Sequence, residues 1–107
     1  MQRKFGLKED QFLKIQNVFE QFPEIESVLL YGSRAKGNFR PGSDIDITLI
    51  GKGLNLSLLN KLSEQLDDLL LPYMFDISIY QQIKNPNMKA HIKKVGREFY
   101  KKGTVFS

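Results

Sequence analysis

The chain has 107 residues, 41% hydrophobic and 26% charged, with a formal net charge of +4, which is typical of one globular domain able to contact phosphates or an acidic partner. The absence of cysteine excludes a disulfide framework and a thiolate metal site, and a single histidine, His91, excludes a multi-histidine zinc site. No apolar run approaches the roughly 20 residues that span a bilayer, and the N-terminus lacks the apolar core of a signal peptide, so we expect one cytoplasmic domain over residues 1–107 without membrane contact.

Apolar spacing predicts the elements of the N-terminal half. A first helix covers about residues 8–22 and is stopped by a proline. Its apolar face consists of Phe12, Ile15, Val18, Phe19 and Phe22. The stretch IESVLLYG is predicted as a strand, and SRAKG as a short helical turn that begins at Ser33. A second strand over residues 44–50, DIDITLI, is bounded by the turn at Pro41 and by Gly51.

The C-terminal half predicts a helix, a strand and a final helix. Leucines at helical spacing predict the helix over residues 56–71, and MFDISIY predicts a third strand over residues 74–80. The leucines concerned are Leu58, Leu59, Leu62, Leu66, Leu69 and Leu70. The last helix is expected to start at the N-cap Asn87 and to end at Gly103. Its apolar stripe is Met88, Ile92, Val95 and Phe99.

This element order predicts an α+β, two-layer fold, in which helices pack over a small mixed β-sheet. The positive charge is concentrated at the C-terminal end, where the residues from Lys84 onward include seven Lys and Arg against the single acid Glu98. This basic region is either a solvated helix face or a binding surface.

Two acids occupy the start of the second strand. Because strand side chains alternate between faces, Asp44, Asp46 and Thr48 share one face, and the intervening isoleucines enter the core. Adjacent like charges repel unless a cation is present. Mg²⁺ is suited to this position, since it prefers oxygen ligands and takes few protein carboxylates.

A third acid lies on the third strand. Asp76 is flanked by apolar Phe75 and Ile77 and projects from the opposite face to them. If this strand lies beside residues 44–50, Asp76 joins the first two acids. Three carboxylates can hold two metal ions, which would orient an attacking oxygen and stabilise a leaving phosphate.

The turn at Gly32 and Ser33 supplies a candidate phosphate site. Gly32 lets the backbone approach a ligand closely, and the Ser33 hydroxyl can bond a phosphate oxygen. Cations follow at Arg34, Lys36 and Arg40. Each feature alone also has an ordinary reading: a simple turn, a capped strand start, or an aspartate paired with a lysine. Their combination forms a coherent phosphate-and-metal site.

The stretch GSRAKGNFRPGSDIDI resembles the signature of the nucleotidyltransferase superfamily related to DNA polymerase β, and within it the minimal nucleotidyltransferases. The resemblance implies a polymerase β palm-like nucleotidyltransferase fold. It assigns Gly32 and Ser33 to the turn that holds the nucleotide phosphates, Asp44 and Asp46 to the metal-binding pair, and Asp76 to the third carboxylate. It assigns Arg34, Lys36 and Arg40 to the cation-bearing loop, and Ser43 is the small residue before the acids.

The resemblance also implies a reaction and a partner. An acceptor hydroxyl would attack the α-phosphate of ATP or another nucleoside triphosphate, with two Mg²⁺ ions at the acids. Members of this family act as antitoxins of small helical HEPN toxins, in some pairs by transferring AMP to the toxin. Leu54, Leu56, Phe106 and the basic last helix either contribute to such a hetero-oligomeric interface or are ordinary core and surface.

Other functions stay open at this point. The domain can retain nucleotide or metal affinity and neutralise its partner by contact without turnover. Nucleic-acid binding is possible from the basic pI of about 9.4 but is not favoured, because the four tyrosines are scattered rather than arranged for stacking on bases. Modification of a small molecule, as in aminoglycoside nucleotidyltransferases, would need an acceptor domain.

Overall fold

A computed structural model describes residues 5–40 and 42–103 of the chain. Helices and strands alternate along these residues. The helices are α1 (Glu9–Glu20), α2 (Ser33–Lys36), α3 (Leu56–Asp67) and α4 (Pro86–Val95). The strands are β1 (Ser27–Tyr31), β2 (Ile45–Ile50), β3 (Phe75–Ile79) and β4 (Arg97–Lys101). A 3-10 turn at Tyr80–Gln82 follows β3.

The strands form one mixed sheet in the order β3-β2-β1-β4. Strand β1 is antiparallel to both of its neighbours, β2 and β4, whereas β2 and β3 are parallel. A small mixed sheet with helices packed over it is the fold class that the sequence predicts, and the structure confirms it. The parallel pair brings the first residues of β2 and β3 to the same end of the sheet.

The main core lies between one face of the sheet and the helices α1 and α3, which contact each other. Alternation along β2 places Ile45, Ile47 and Leu49 in this core, each fully buried, as the sequence predicts. Burial of one such side chain contributes roughly 1.5–3 kcal/mol. The same alternation turns Asp46 to the opposite face, so the hydrophobic core itself determines the direction of that acid.

Helix α4 runs on the other face of the sheet. The connections β2–α3–β3 and β3–α4–β4 join parallel strands but cross the sheet in opposite directions. Since such crossovers are right-handed, their helices lie on opposite faces. In agreement, Ile92 of α4 is fully buried without belonging to the main core cluster, and α4 contacts β1. Helix α4 therefore crosses the face that carries Asp46.

The predicted last helix is wrong in its second half. Helix α4 ends at Val95, and the residues after Gly96 form β4, which pairs with β1. Backbone at Gly96 is extended, with φ −63° and ψ 141°, so it leaves the helical path. Arg97–Lys101 contains two aromatic residues, which favour a strand. Phe99 is fully buried in this strand and not on a helical stripe.

Other boundaries also differ from the prediction. The cap of α4 is Asn85, whose side-chain oxygen accepts hydrogen bonds from the backbone N–H groups of Asn87 at 2.9 Å and Met88 at 3.3 Å. Helix α3 ends at Asp67, so the predicted helical position Leu70 is 88% exposed. Among the described residues, no helix is both long and apolar enough to cross a membrane. Predictions for Pro41 and Phe106 concern positions outside the described residues.

Candidate active site

Asp46 and Asp76 face each other across the parallel strands β2 and β3. They are register partners, and so are Asp46 and Tyr31 across the antiparallel pair β1–β2. Register partners point to the same face, and neighbouring strands lie about 4.8 Å apart. The structure therefore brings together two acids that are 30 residues apart in the sequence. Asp44 lies exposed just before β2.

The surroundings of Asp46, which include the other two acids, change its protonation. Partial burial raises the pKa of the Asp46 carboxyl, and the nearby charges of Asp76 and Asp44 raise it further. Each of these causes favours the protonated form of Asp46 in the metal-free protein. A cation between the carboxylates would reverse the effect, since it favours their charged forms.

The carboxylates fit a magnesium site completed by a ligand. Among residues 5–40 and 42–103, no three acidic, histidine or cysteine side chains are drawn together as a cage that could hold a metal ion by themselves. Mg²⁺ rarely uses such a cage, because it commonly binds one or two carboxylates and completes its shell with water and substrate phosphates. The Asp46–Asp76 pair with Asp44 beside it meets that requirement.

The Gly32–Ser33 turn lies directly against Asp46. Gly32 has φ 79° and ψ −157°, a conformation that only glycine adopts readily. A Cβ at Gly32 would overlap with Oδ2 of Asp46. The turn then opens α2, with Ser33 as the first residue and its carbonyl accepting the N–H groups of Gly37 at 3.0 Å and Asn38 at 3.2 Å. The predicted phosphate-binding turn thus contacts Asp46, one of the predicted metal-binding acids.

Arg34, which follows this turn, is buried, and its guanidinium makes contacts within the protein. Its side chain is only 3% exposed, and its guanidinium donates to two backbone carbonyls. The Nε and Nη2 groups donate to the carbonyl of Ser43 at 3.1 and 2.9 Å, and Nη1 donates to that of Phe5 at 2.9 Å. The guanidinium also lies over the rings of Phe39 and Tyr73, at 5.1 and 4.8 Å from their centroids.

The other members of the predicted cationic loop occupy separate positions. Lys36 is exposed at the end of α2, and Arg40 is exposed in the loop before β2. Ser43 shapes that loop: its hydroxyl accepts the Arg40 N–H at 2.9 Å, and its own N–H donates to the Arg40 carbonyl at 3.0 Å. Lys36 and Arg40 therefore have freedom to reach a ligand, whereas Ser43 is used in the turn.

Two hydroxyl groups next to the acids, those of Tyr31 and Ser78, were missed from the sequence, whereas Thr48 was predicted on the same face as Asp46. Ser78 Oγ donates to Thr48 Oγ1 at 3.0 Å, and the side chain of Tyr31 bonds Ser78. Burial raises the pKa of the Tyr31 hydroxyl, the Ser78 bond opposes this, and the charges of Asp76 and Asp46 raise it further. Thr48 and Ser78 each stand two residues after an acid, so the period of two was the signal available in the sequence.

A cleft of about 690 Å³ lies beside α2 and is lined partly by Phe5, Phe12, Lys36, Phe39 and Arg97. The acids do not line this cleft; Asp76 borders a smaller depression of about 280 Å³ beside α3. Asp44 and Asp76 are exposed, so a second molecule can approach these two carboxylates, whereas Asp46 is half-buried.

Comparisons with known proteins identify the family of the chain and solved structures that share its fold. The family model described as "Polymerase beta, Nucleotidyltransferase" matches residues 13–104 of the chain. A comparison with curated proteins gave no match.

Several solved structures share the fold. A structure described as a toxin-antitoxin with AMP-PNP is 19% identical, with a TM-score of 0.68 over 91% of this chain and 76% of that chain. A toxin-antitoxin MntA-HepT structure is 17% identical, with a TM-score of 0.65 over 88% and 73% of the two chains. A putative nucleotidyltransferase from Sulfolobus solfataricus is 22% identical, with a TM-score of 0.53 over 92% and 90%.

Proposed function

Since the chain belongs to the polymerase beta nucleotidyltransferase family, we propose that it transfers a nucleoside monophosphate, AMP from ATP, to an acceptor hydroxyl in a Mg²⁺-dependent reaction. One observation carries the proposal: Asp46 is in register with Asp76 and at the same time in contact with the Gly32–Ser33 turn. A triphosphate on the turn would place its α-phosphate beside both carboxylates.

Some of these residues would bind the nucleotide donor, and one would contact the acceptor. The Gly32 backbone and the Ser33 hydroxyl hold the phosphates, and Asp44 and Asp46 hold Mg²⁺. The bound metal ions supply charge neutralisation at the phosphates and polarise the attacking oxygen. Asp76 is exposed, so it can reach the acceptor hydroxyl and take its proton.

The proposed transfer is a single displacement at the α-phosphorus of the nucleotide. The acceptor oxygen forms a bond to the α-phosphorus, the bond from that phosphorus to the bridging oxygen breaks, and pyrophosphate leaves with the electron pair. Positioning and charge stabilisation provide most of the rate enhancement for such a reaction. Exposed Lys36 and Arg40 are the cations that can approach the leaving pyrophosphate.

We further propose a protein acceptor, a small helical HEPN-type toxin that the chain neutralises as an antitoxin. Support comes from the structures of toxin-antitoxin complexes that share the fold, one of them with AMP-PNP. The exposed position of Asp44 and Asp76 suits an acceptor carried by a second protein. Leu56, 68% exposed, and the basic α4 are surfaces that such a partner can cover.

Labelled ATP tests the proposal. The chain would be incubated with Mg²⁺, α-labelled ATP and the product of the adjacent gene. The Asp44→Ala/Asp46→Ala variant serves as the inactive form, and Asp67→Ala/Asp68→Ala, which removes two exposed acids at the end of α3, as the matched control. Transfer predicts label on the partner with the wild type and the control only.

The same experiment separates the proposal from neutralisation by contact. If the partner is bound and inhibited equally by the wild type and by Asp44→Ala/Asp46→Ala, and no label appears, the chain is a binding module without turnover. Label on an added aminoglycoside or on RNA, with none on the protein, would identify a different acceptor.

A further inference from the structure

Arg34 is a buried cation with an unusual set of partners. Burial of a charge is costly unless hydrogen bonds and charges compensate for it. Here the compensation comes from the carbonyls of Ser43 and Phe5 and from the aromatic rings of Phe39 and Tyr73. Burial lowers the pKa of Arg34, and the neighbouring Tyr73 and Asp44 oppose that change.

These partners belong to segments that carry the site. Arg34 itself directly follows Ser33 of the phosphate-binding turn. The Ser43 carbonyl, which accepts two of its hydrogen bonds, belongs to the residue before Asp44. Tyr73 lies three residues before Asp76, and the carbonyl of the intervening Met74 accepts the N–H of Ile45 at 2.8 Å. The Arg34 side chain therefore contacts the residue before Asp44 and a residue shortly before Asp76, while its own backbone continues the phosphate-binding turn.

The surroundings of the Arg34 side chain are specific for a guanidinium. A planar group is needed to lie over both rings while two of its nitrogens donate to one carbonyl, and a lysine ammonium cannot do so. The Tyr73 ring is held in turn, since its hydroxyl donates to Oε1 of Gln11 at 3.1 Å. Gly6, with φ 80°, lies so close that a Cβ there would overlap with the Phe39 ring.

We propose that Arg34 is a positioning residue that fixes Asp44 and the start of β3 relative to the Gly32–Ser33 turn, and so sets the metal affinity of the site. This inference rests on the proposed function, because it takes the acids as metal ligands. It replaces direct phosphate binding, the role that the sequence suggested for Arg34. Loss of a residue that orients metal ligands commonly weakens metal binding by about 10- to 100-fold.

Direct binding of Mn²⁺, a paramagnetic substitute for Mg²⁺, tests the inference on the whole chain without any turnover. Free Mn²⁺ would be measured by electron paramagnetic resonance in titrations of the wild type, Arg34→Lys and Arg34→Met, with circular dichroism to show that each is folded. Lys61→Met, which removes an exposed cation on α3, is the matched control. We expect about 10-fold or weaker Mn²⁺ binding for both Arg34 variants and no change for Lys61→Met.

A second pair of variants keeps the test valid if Arg34→Met does not fold. Phe39→Leu and Tyr73→Leu each remove one of the two rings that the Arg34 guanidinium contacts and leave the guanidinium itself in place. Each should weaken Mn²⁺ binding by a smaller factor than Arg34→Lys. Binding of metal-free AMP-PNP distinguishes the roles further: a positioning residue changes it less than it changes Mn²⁺ binding, whereas a phosphate ligand does the opposite.

The outcomes separate this inference from the proposed function. It is overturned on its own if Asp44→Ala/Asp46→Ala loses Mn²⁺ binding while folded Arg34 variants bind like the wild type. A wild type that binds Mn²⁺ no better than the aspartate variant overturns the metal site and the inference together. Weak Mn²⁺ binding by the Arg34 variants supports the inference even where no nucleotide transfer is detected.

Discussion

Gly32 lies so close to Asp46 that a methyl group on Gly32 would overlap with the carboxylate oxygen Oδ2. The contact joins the end of β1 to the start of β2, which pair antiparallel at Tyr31 and Asp46. A phosphate held by the turn would therefore lie next to the carboxylate because of strand pairing. The contact also explains why the residue before Ser33 is glycine, since both its conformation and its surroundings exclude a side chain.

Gly32→Ala is expected to abolish nucleotide transfer and to destabilise the fold. Alanine is strained at φ 79° and ψ −157°, at a cost of about 1–3 kcal/mol, and its methyl group displaces Asp46. Gly37→Ala is the control, because Gly37 also has a positive φ of 85° but nothing lies within 4 Å of its Cβ position. Transfer assays and chemical unfolding check both; activity of Gly32→Ala equal to that of Gly37→Ala would contradict the contact.

Asp46→Asn is expected to stabilise the metal-free protein at neutral pH while it removes activity. Partial burial, Asp76 and Asp44 raise the pKa of Asp46 in the folded state. A raised carboxyl pKa means that the folded protein binds the proton more tightly than the unfolded one. The protonated Asp46 carboxyl therefore stabilises the fold at low pH. This stabilisation is lost as the pH rises from the pKa of the unfolded state, 3.8, through the higher pKa of the folded state.

The melting temperature of Asp46→Asn, measured without metal, should exceed that of the wild type at pH 7, and the gain should shrink toward pH 4. Asp67→Asn, which removes the charge of an exposed acid at the end of α3, is the control, and we expect it to change the melting temperature little. Saturating Mn²⁺ should raise the melting temperature of the wild type and leave that of Asp46→Asn nearly unchanged. A variant that is less stable at pH 7 than the wild type would show that repulsion among the acids is negligible.

The directions of Asp46 and Asp76 could be predicted from the sequence for a physical reason, whereas Asp44, predicted on the same strand as Asp46, lies just before β2. Alternation of side chains along a strand is a local property. The buried Ile45 and Ile47 fix the direction of Asp46, and the partly buried Phe75 and Ile77 fix that of Asp76. Arg34 shows the limit of that reasoning. Its direction depends on the Phe5 carbonyl, 29 residues away, and on Tyr73, so no local pattern reports it.

The mistaken last helix has a similar explanation. Met88, Ile92 and Val95 do lie on α4, and Phe99 continues their spacing by coincidence. What ends the helix is the extended Gly96 followed by pairing of β4 with β1. That pairing joins residues about 70 positions apart, which periodicity within the helix cannot detect.

Tyr31→Phe is expected to cost about 0.5–1.5 kcal/mol of unfolding free energy, because it removes the hydrogen bond to Ser78. Ser78→Ala is expected to cost more, because it removes that hydrogen bond and also the one to Thr48 Oγ1. The double variant should therefore lose less than the sum of the two. Urea unfolding of the three variants measures this coupling. Fully additive losses would show that the two hydroxyls do not interact, and Ser27→Ala, at the other end of β1, is a suitable control.

Phe99→Ala should lower the free energy of unfolding by about 3–5 kcal/mol, because it empties a fully buried position. The Phe99 ring packs against those of Phe5, Phe12 and Phe19, with centroids 5.6, 5.2 and 6.1 Å away. Met88→Ala, on the exposed side of α4, should change stability by less than about 0.5 kcal/mol. Chemical unfolding of both variants distinguishes strand β4 from a continued helix, since a helix ending at Gly103 would place both side chains on one stripe and give them comparable effects.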